Sequence, residues 1–200
     1  MTEANLAKSG PIDRATAGPF DRAEISEASL YIDFGSLLLP SREGLQVRLD
    51  LEEGTDRIVA ISIDYQNSTL QLQAFAAPKS EGLWHSVREQ LAQSLTASGS
   101  VAEERLGALG LELVSRMALN DENANSTVQR VARFIGVDGP RWFLRGVIGG
   151  AAINDPAAAV SIESIFRSVV VNRGDQPVPP RDLLPITLPP GVVIPPRPSN

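Results

Sequence analysis

Residues 128–150 read VQRVARFIGVDGPRWFLRGVIGG, two apolar runs separated by Asp138, Gly139 and Pro140. Tight turns favour these residue types, glycine for its freedom at positive φ and aspartate for its backbone hydrogen bonds. The pattern predicts two antiparallel strands that fold back on each other at this turn. In the second strand, alternation assigns one face to Trp142, Leu144, Gly146 and Ile148, and the other to Arg141, Phe143, Arg145 and Val147.

The chain before this hairpin has both strand and helix patterns. Apolar and polar residues alternate in three runs, which predict strands at residues 45–51, 57–64 and 70–76. Apolar residues then recur at helical spacing, and Ser80 is the expected N-cap of that helix. Another hairpin is expected across Gly107 or Gly110.

The second helix is predicted from Asp155, a capping residue, followed by Pro156 at the first helical position, with Gly174 as its end. The order is therefore three strands, a helix, four strands and a helix. Short links favour an antiparallel sheet. We expect an α+β fold, a mostly antiparallel sheet with the two main helices packed on one face. One domain is expected at residues 31–174, between a flexible or loosely docked arm (1–30) and a proline-rich tail (175–200).

Composition removes several classes of function. The 200 residues include no cysteine and one histidine, His85, so zinc centres and Ser-His-Asp triads lack their usual groups. No metal and no cofactor is expected. A net charge of −6 argues against a general nucleic-acid binder. The chain has no run of roughly 20 apolar residues, so we expect a cytoplasmic protein without membrane contact.

The arginines of the hairpin are the first candidate for a binding site. Arg130 and Arg133 lie on its first strand, and Arg141 and Arg145 flank Phe143 on its second. Guanidinium groups can bind phosphate or carboxylate through two parallel hydrogen bonds. The alternative, which we favour for an acidic protein, is that they cover apolar strand surface and pair with acids of the same chain.

The tail is the second candidate. Nine of the fifteen prolines follow Asp175, and Pro179, Pro180 and Arg181 form a proline run with an adjacent arginine. Grooves lined by aromatic residues recognise such segments as preformed polyproline II helices. A terminus that wraps its own domain has the same composition.

Two resemblances add to these patterns. The blocks LQLQAFAAPK (70–79) and GVDGPRWFLRGV (136–147), with GPFD near the start and RG and PPR afterwards, resemble an actinobacterial domain-of-unknown-function family numbered 3710 over about residues 18–189. The resemblance implies an actinobacterial protein and supplies no catalytic residue. The order of elements is similar to that of Mog1/PsbP-like sandwiches, a likeness of topology alone.

Function is therefore predicted only in outline. We expect a non-enzymatic interaction or scaffold domain that docks an unidentified protein partner through the arginine-bearing hairpin and the tail. The alternative is a binder of a phosphorylated small molecule or of single-stranded nucleic acid, held by guanidinium groups and aromatic stacking. Nucleic acid is the less favoured ligand. Catalysis is not expected, because no pair of acids has a spacing that places both in one site.

Overall fold

The computed structural model describes residues 6–26, 30–121 and 126–189, with the side chains of residues 119–121 and 126–128 excepted. The strands are β1 (Phe20–Asp21), β2 (Tyr31–Asp33), β3 (Leu37–Pro40), β4 (Gln46–Leu51), β5 (Ile58–Tyr65), β6 (Ser68–Ala76), β7 (Val101–Gly107), β8 (Gly110–Asp121), β9 (Ser126–Asp138), β10 (Trp142–Gly150) and β11 (Val170–Val171). The helices are α1 (Arg14–Ala17), α2 (Trp84–Ala97) and α3 (Pro156–Ser168). None of the helices in these ranges is long and apolar enough to span a membrane.

A seven-stranded antiparallel sheet forms the centre of the molecule, in the order β4-β5-β6-β10-β9-β8-β7. It consists of two meanders, β4 to β6 and β7 to β10, joined where β10 pairs with β6. The predicted strands and the turn at Asp138 are confirmed, and the main-chain N–H of Gly139 donates to the carbonyl of Trp142 across that turn. The mostly antiparallel α+β class is confirmed with them.

The two long helices lie on opposite faces of this sheet, so the prediction that both cover one face was wrong. Trp142 and Leu144 belong to the same buried cluster as Ile162 and Phe166 of α3. Phe143, between them in sequence, belongs to a second cluster with Trp84 of α2. Because β10 is apolar on both faces at this point, a helix can bury each side. We call the side of Phe143 the α2 face.

A smaller sheet, β1-β11-β3-β2, packs beside the main one. Residues 31–40 contribute β2 and β3, and Leu37, Leu38 and Leu39 are all fully buried. The predicted end of the second helix at Gly174 was wrong. The helix α3 ends at Ser168, and the next residues form β11 between β1 and β3.

Both ends of the described chain contact the domain. Near the start, the main-chain N–H of Asp138 donates to the carbonyl of Ser9, and β1 pairs with β11. Near the end, Leu184 is fully buried and donates its main-chain N–H to the carbonyl of Ala74. The domain boundaries given above stay a prediction, and the second proline run, residues 195–198, lies outside the described residues.

Candidate binding pocket

A pocket of about 380 Å³ lies between α2 and the α2 face of the sheet. Its walls are mostly apolar, with two arginines among them. The lining residues are Phe75, Leu83, Val87, Gln90, Leu91, Ser94, Phe143, Arg145 and Arg181. We refer to this cavity as the α2 pocket.

The pocket exists because the apolar side of α2 is packed tightly only at its first turn. Trp84 is fully buried and stacks on Phe143, with ring centroids 5.9 Å apart. Gly136 makes this approach possible, because a Cβ there would lie 2.4 Å from the Trp84 ring. Farther along the helix, Val87 and Leu91 are only half-buried. Their apolar side chains therefore line an open cavity instead of filling it.

The start of α2 is held by a carboxylate from the hairpin turn, not by the predicted N-cap Ser80. Asp138 Oδ1 accepts from the main-chain N–H of Leu83 at 2.8 Å, and Oδ2 accepts from those of Ser9 at 2.9 Å and Trp84 at 3.4 Å. Burial raises the pKa of Asp138, against the opposing effect of these amide donors. Lys8 Nζ lies nearby and donates to the carbonyls of Pro78 and Pro140. Asp138 thus fixes the helix, the turn and the N-terminal arm together, a structural role as the sequence predicts.

Arg145 carries a positive charge into the pocket wall that no acid of the described residues balances. It donates a hydrogen bond to Gln73 Oε1, and its guanidinium carbon lies 5.7 Å from the centre of the Phe75 ring. Its Nε is buried without a hydrogen-bond partner, and no carboxylate of the described residues forms an ion pair with it. Burial lowers the pKa of Arg145, because the charged form loses its hydration. An anion that forms an ion pair with such a guanidinium would be bound favourably.

Arg181 brings a second positive charge to the same cavity. Its main-chain N–H donates to the carbonyl of Ala76, and its side chain donates to Ser86 Oγ on α2 at 3.2 Å. The backbone of Arg181 has φ of 75°, a conformation that costs an arginine free energy. The neighbouring main-chain hydrogen bonds to β6 hold the exposed side chain at the pocket.

The structure therefore brings together three of the residues singled out from the sequence, Phe143, Arg145 and Arg181, and separates the others. Arg133 is buried on the face of α3, where it pairs with Glu112 at 2.8 Å and Glu163 at 2.5 Å. This arginine supports the structural alternative. The remaining candidates are exposed and do not line the α2 pocket: Arg130, Arg141, Pro179 and Pro180.

The family of the chain can be stated at this point, since the family match spans every residue of the pocket. The chain belongs to the family described as "Protein of unknown function (DUF3710)". The match covers residues 18–193, in agreement with the resemblance noted in the sequence. No curated protein and no solved structure matches the chain. The actinobacterial range and the Mog1/PsbP-like topology stay predictions.

Six lining residues of the pocket, Val87 and Leu91 among them, were missed as a binding surface, as was Gln73, the hydrogen-bond partner of Arg145. Val87 and Leu91 have the helical spacing of core residues, and the sequence predicts them as such. Gln73 lies on the α2 face of β6, directly opposite Arg145 in the paired strands. A polar residue in the apolar run LQLQAFA was the available signal, but identifying its partner requires the register.

Proposed function

We propose that the chain is a non-enzymatic binding domain whose α2 pocket takes a small anionic ligand with an apolar body, of the kind represented by a medium-chain monocarboxylate. The observation that carries this proposal is Arg145, a half-buried arginine set in a mostly apolar wall, whose Nε is enclosed without a hydrogen-bond partner and which pairs with no acid of the described residues. A carboxylate placed there would supply the missing charge, and the surrounding apolar side chains would bury the rest of the ligand.

The size and lining of the pocket support a small molecule. Ligand pockets commonly measure roughly 300–1,000 Å³ and combine apolar walls with a few polar groups that set orientation. The α2 pocket has about 380 Å³, at the lower end of that range. Val87 and Leu91 on α2 and Phe75 on the sheet provide apolar contact, and Arg145 provides the charged end.

The geometry favours this ligand over single-stranded nucleic acid. Stacking on bases requires an accessible aromatic face. Phe143 is only 1% exposed and stacks with both Phe75 and Trp84, while Trp142 is fully buried on the opposite side of the sheet. The docking of a protein partner by the tail stays a prediction, supported by the exposure of Pro179 and Pro180. A cytoplasmic location, expected from the sequence, stays a proposal.

Isothermal titration calorimetry with octanoate and with octan-1-ol tests the proposal. The two probes share a chain length and differ in charge. We expect octanoate to bind more tightly than octan-1-ol to the wild-type protein. In Arg145→Gln the loss of a charge-assisted hydrogen bond should weaken octanoate by about tenfold or more, with octan-1-ol unchanged.

Arg130→Gln is the matched control, because it removes one exposed arginine on β9 that does not line the pocket. It should bind octanoate like the wild type. Equal octanoate affinity in Arg145→Gln and the wild type would contradict the proposal. So would an absence of octanoate binding to the folded wild-type protein.

A further inference from the structure

A second group of arginines converges elsewhere on the molecule. Arg22 follows β1, Arg141 lies in the turn before β10, and Arg173 follows β11. All three line one cavity of about 500 Å³, which we call the arginine groove. Among the described residues, none of these three side chains forms an ion pair.

Two of the three guanidinium groups are held in place by main-chain carbonyls. Arg22 donates to the carbonyl of Ile25 at 3.1 Å. Arg173 donates to the carbonyls of Gln176 at 2.9 Å and Val178 at 3.2 Å. These bonds leave other N–H groups of each guanidinium free, since each guanidinium carries five. The groove therefore has charges whose positions are set before a ligand arrives, which lowers the entropic cost of binding.

The acids of the groove do not neutralise it. Asp21 and Asp175 also line it, so its formal charge is three minus two, or plus one. The carboxylate of Asp21 is already engaged, accepting from Trp142 Nε1 at 2.8 Å and from the main-chain N–H of Ala23 at 2.9 Å. Asp175 is exposed. An anion that contacts the three guanidinium groups would find an excess of positive charge.

We propose that the arginine groove binds a phosphoryl group. Guanidinium groups match the geometry of phosphate oxygens through paired hydrogen bonds, and a dianion can engage several of them at once. The groove has no aromatic lining residue, unlike the α2 pocket, so charge and hydrogen bonds supply its affinity. This site is separate from the α2 pocket and does not depend on its function.

The test is a titration followed in two-dimensional ¹H–¹⁵N spectra, with inorganic phosphate at pH 7.5 and ionic strength held constant with sodium chloride. We expect saturable shifts of the main-chain amide signals of Ala23, Arg141 and Gly174 at millimolar phosphate, and none with acetate. Ribose 5-phosphate serves as a second probe. Tighter binding of the ester identifies a phosphorylated small molecule as the ligand, and equal binding identifies phosphate itself.

Arg141→Ala should weaken phosphate roughly tenfold, the effect of losing one charge-assisted hydrogen bond. The Arg141 side chain is exposed and forms no ion pair with a described residue, so the variant should fold, as its own spectrum will show. Arg130→Ala removes the same charge outside the groove and should leave the affinity unchanged. The proposal is overturned if no shift saturates by about 10 mM phosphate. Equal weakening by the two variants would overturn it as well, since that result indicates non-specific attraction.

Discussion

Replacing Arg145 with methionine is expected to make the protein more stable while removing its ligand. The substitution deletes the hydrogen bond to Gln73 and the contact with the Phe75 ring. These are worth about 1–1.5 kcal/mol and about 0.5–1 kcal/mol respectively. Against this loss, the half-buried charge, whose Nε is enclosed and unpaired, carries a desolvation cost of about 3–4 kcal/mol, which methionine does not have. The net expectation is a gain of about 1–2 kcal/mol in the free energy of unfolding.

Thermal and urea unfolding measure this difference. For a chain of this size the gain corresponds to a rise in Tm of roughly 2–8 °C. Arg130→Met is the control, and a substitution of this exposed residue should stay within about 0.5 kcal/mol of the wild type. A loss of stability in Arg145→Met would refute the reasoning, because it would show that the contacts with Gln73 and Phe75 outweigh desolvation and that Arg145 is a structural residue.

Three further predictions concern the buried charged residues Asp138 and Arg133. Asp138→Ala should cost about 3 kcal/mol in urea unfolding, since it leaves buried main-chain amides unpaired, whereas Asp155→Ala removes one exposed cap and should cost about 1 kcal/mol. The pKa of Asp138 is raised in the folded protein, so its contribution to stability is present in full below the unfolded pKa of about 3.9 and is lost as the pH rises through the folded value. The free energy of unfolding of the wild type minus that of Asp138→Asn should therefore fall as the pH rises from about 3 and then level off, and a difference that grows would contradict the assignment. Arg133→Met should cost about 3 kcal/mol because it leaves the buried Glu112 and the half-buried Glu163 without this partner. Arg116→Met breaks an exposed pair and should cost less than about 1 kcal/mol, so similar losses would be inconsistent with a buried network.

The strands and helices were largely predictable from local patterns. Alternation over residues 45–76 and the Asp138 turn identified the strands of both meanders, and Asp155 with Pro156 marked the start of α3. The residue that caps α2 could not be predicted from such local patterns. Ser80 satisfies the local rule for a cap of α2, but the carboxylate that caps the helix is that of Asp138, more than fifty residues later in the chain. A short stretch of sequence cannot contain both the start of α2 and Asp138, so a local rule cannot identify this cap.

The roles of the arginines depend on register in the same way. Arg133 and Arg145 lie on the two strands of one hairpin and look equivalent in the sequence. In the paired strands Arg133 is opposite Ile148, on the face of α3, and Arg145 is opposite Gly136, on the α2 face. Glu112 of β8 and Glu163 of α3 form ion pairs with Arg133, whereas no acid of the described residues pairs with Arg145. Alternation predicted the face of Arg145 correctly, but only tertiary contacts could reveal which arginine is neutralised.

The pocket itself could not be predicted from the sequence. Val87 and Leu91 have the spacing of a buried helix face, and spacing does not report how closely a helix approaches its sheet. Arg181 belongs to the tail, which the sequence describes only as proline-rich, and hydrogen bonds to β6 bring it to the cavity. A site assembled from β6, β10, α2 and the tail becomes visible only once these segments are placed in space.

Anion binding by Arg145 is tested most directly by its side-chain Nε–H signal in ¹H–¹⁵N spectra during a titration with octanoate. We predict a saturable shift of this signal, and of the methyl signals of Val87 and Leu91 in ¹H–¹³C spectra, at one common dissociation constant. Shifts confined to exposed arginines such as Arg130, or an Arg145 signal that stays still at saturating octanoate, would contradict it.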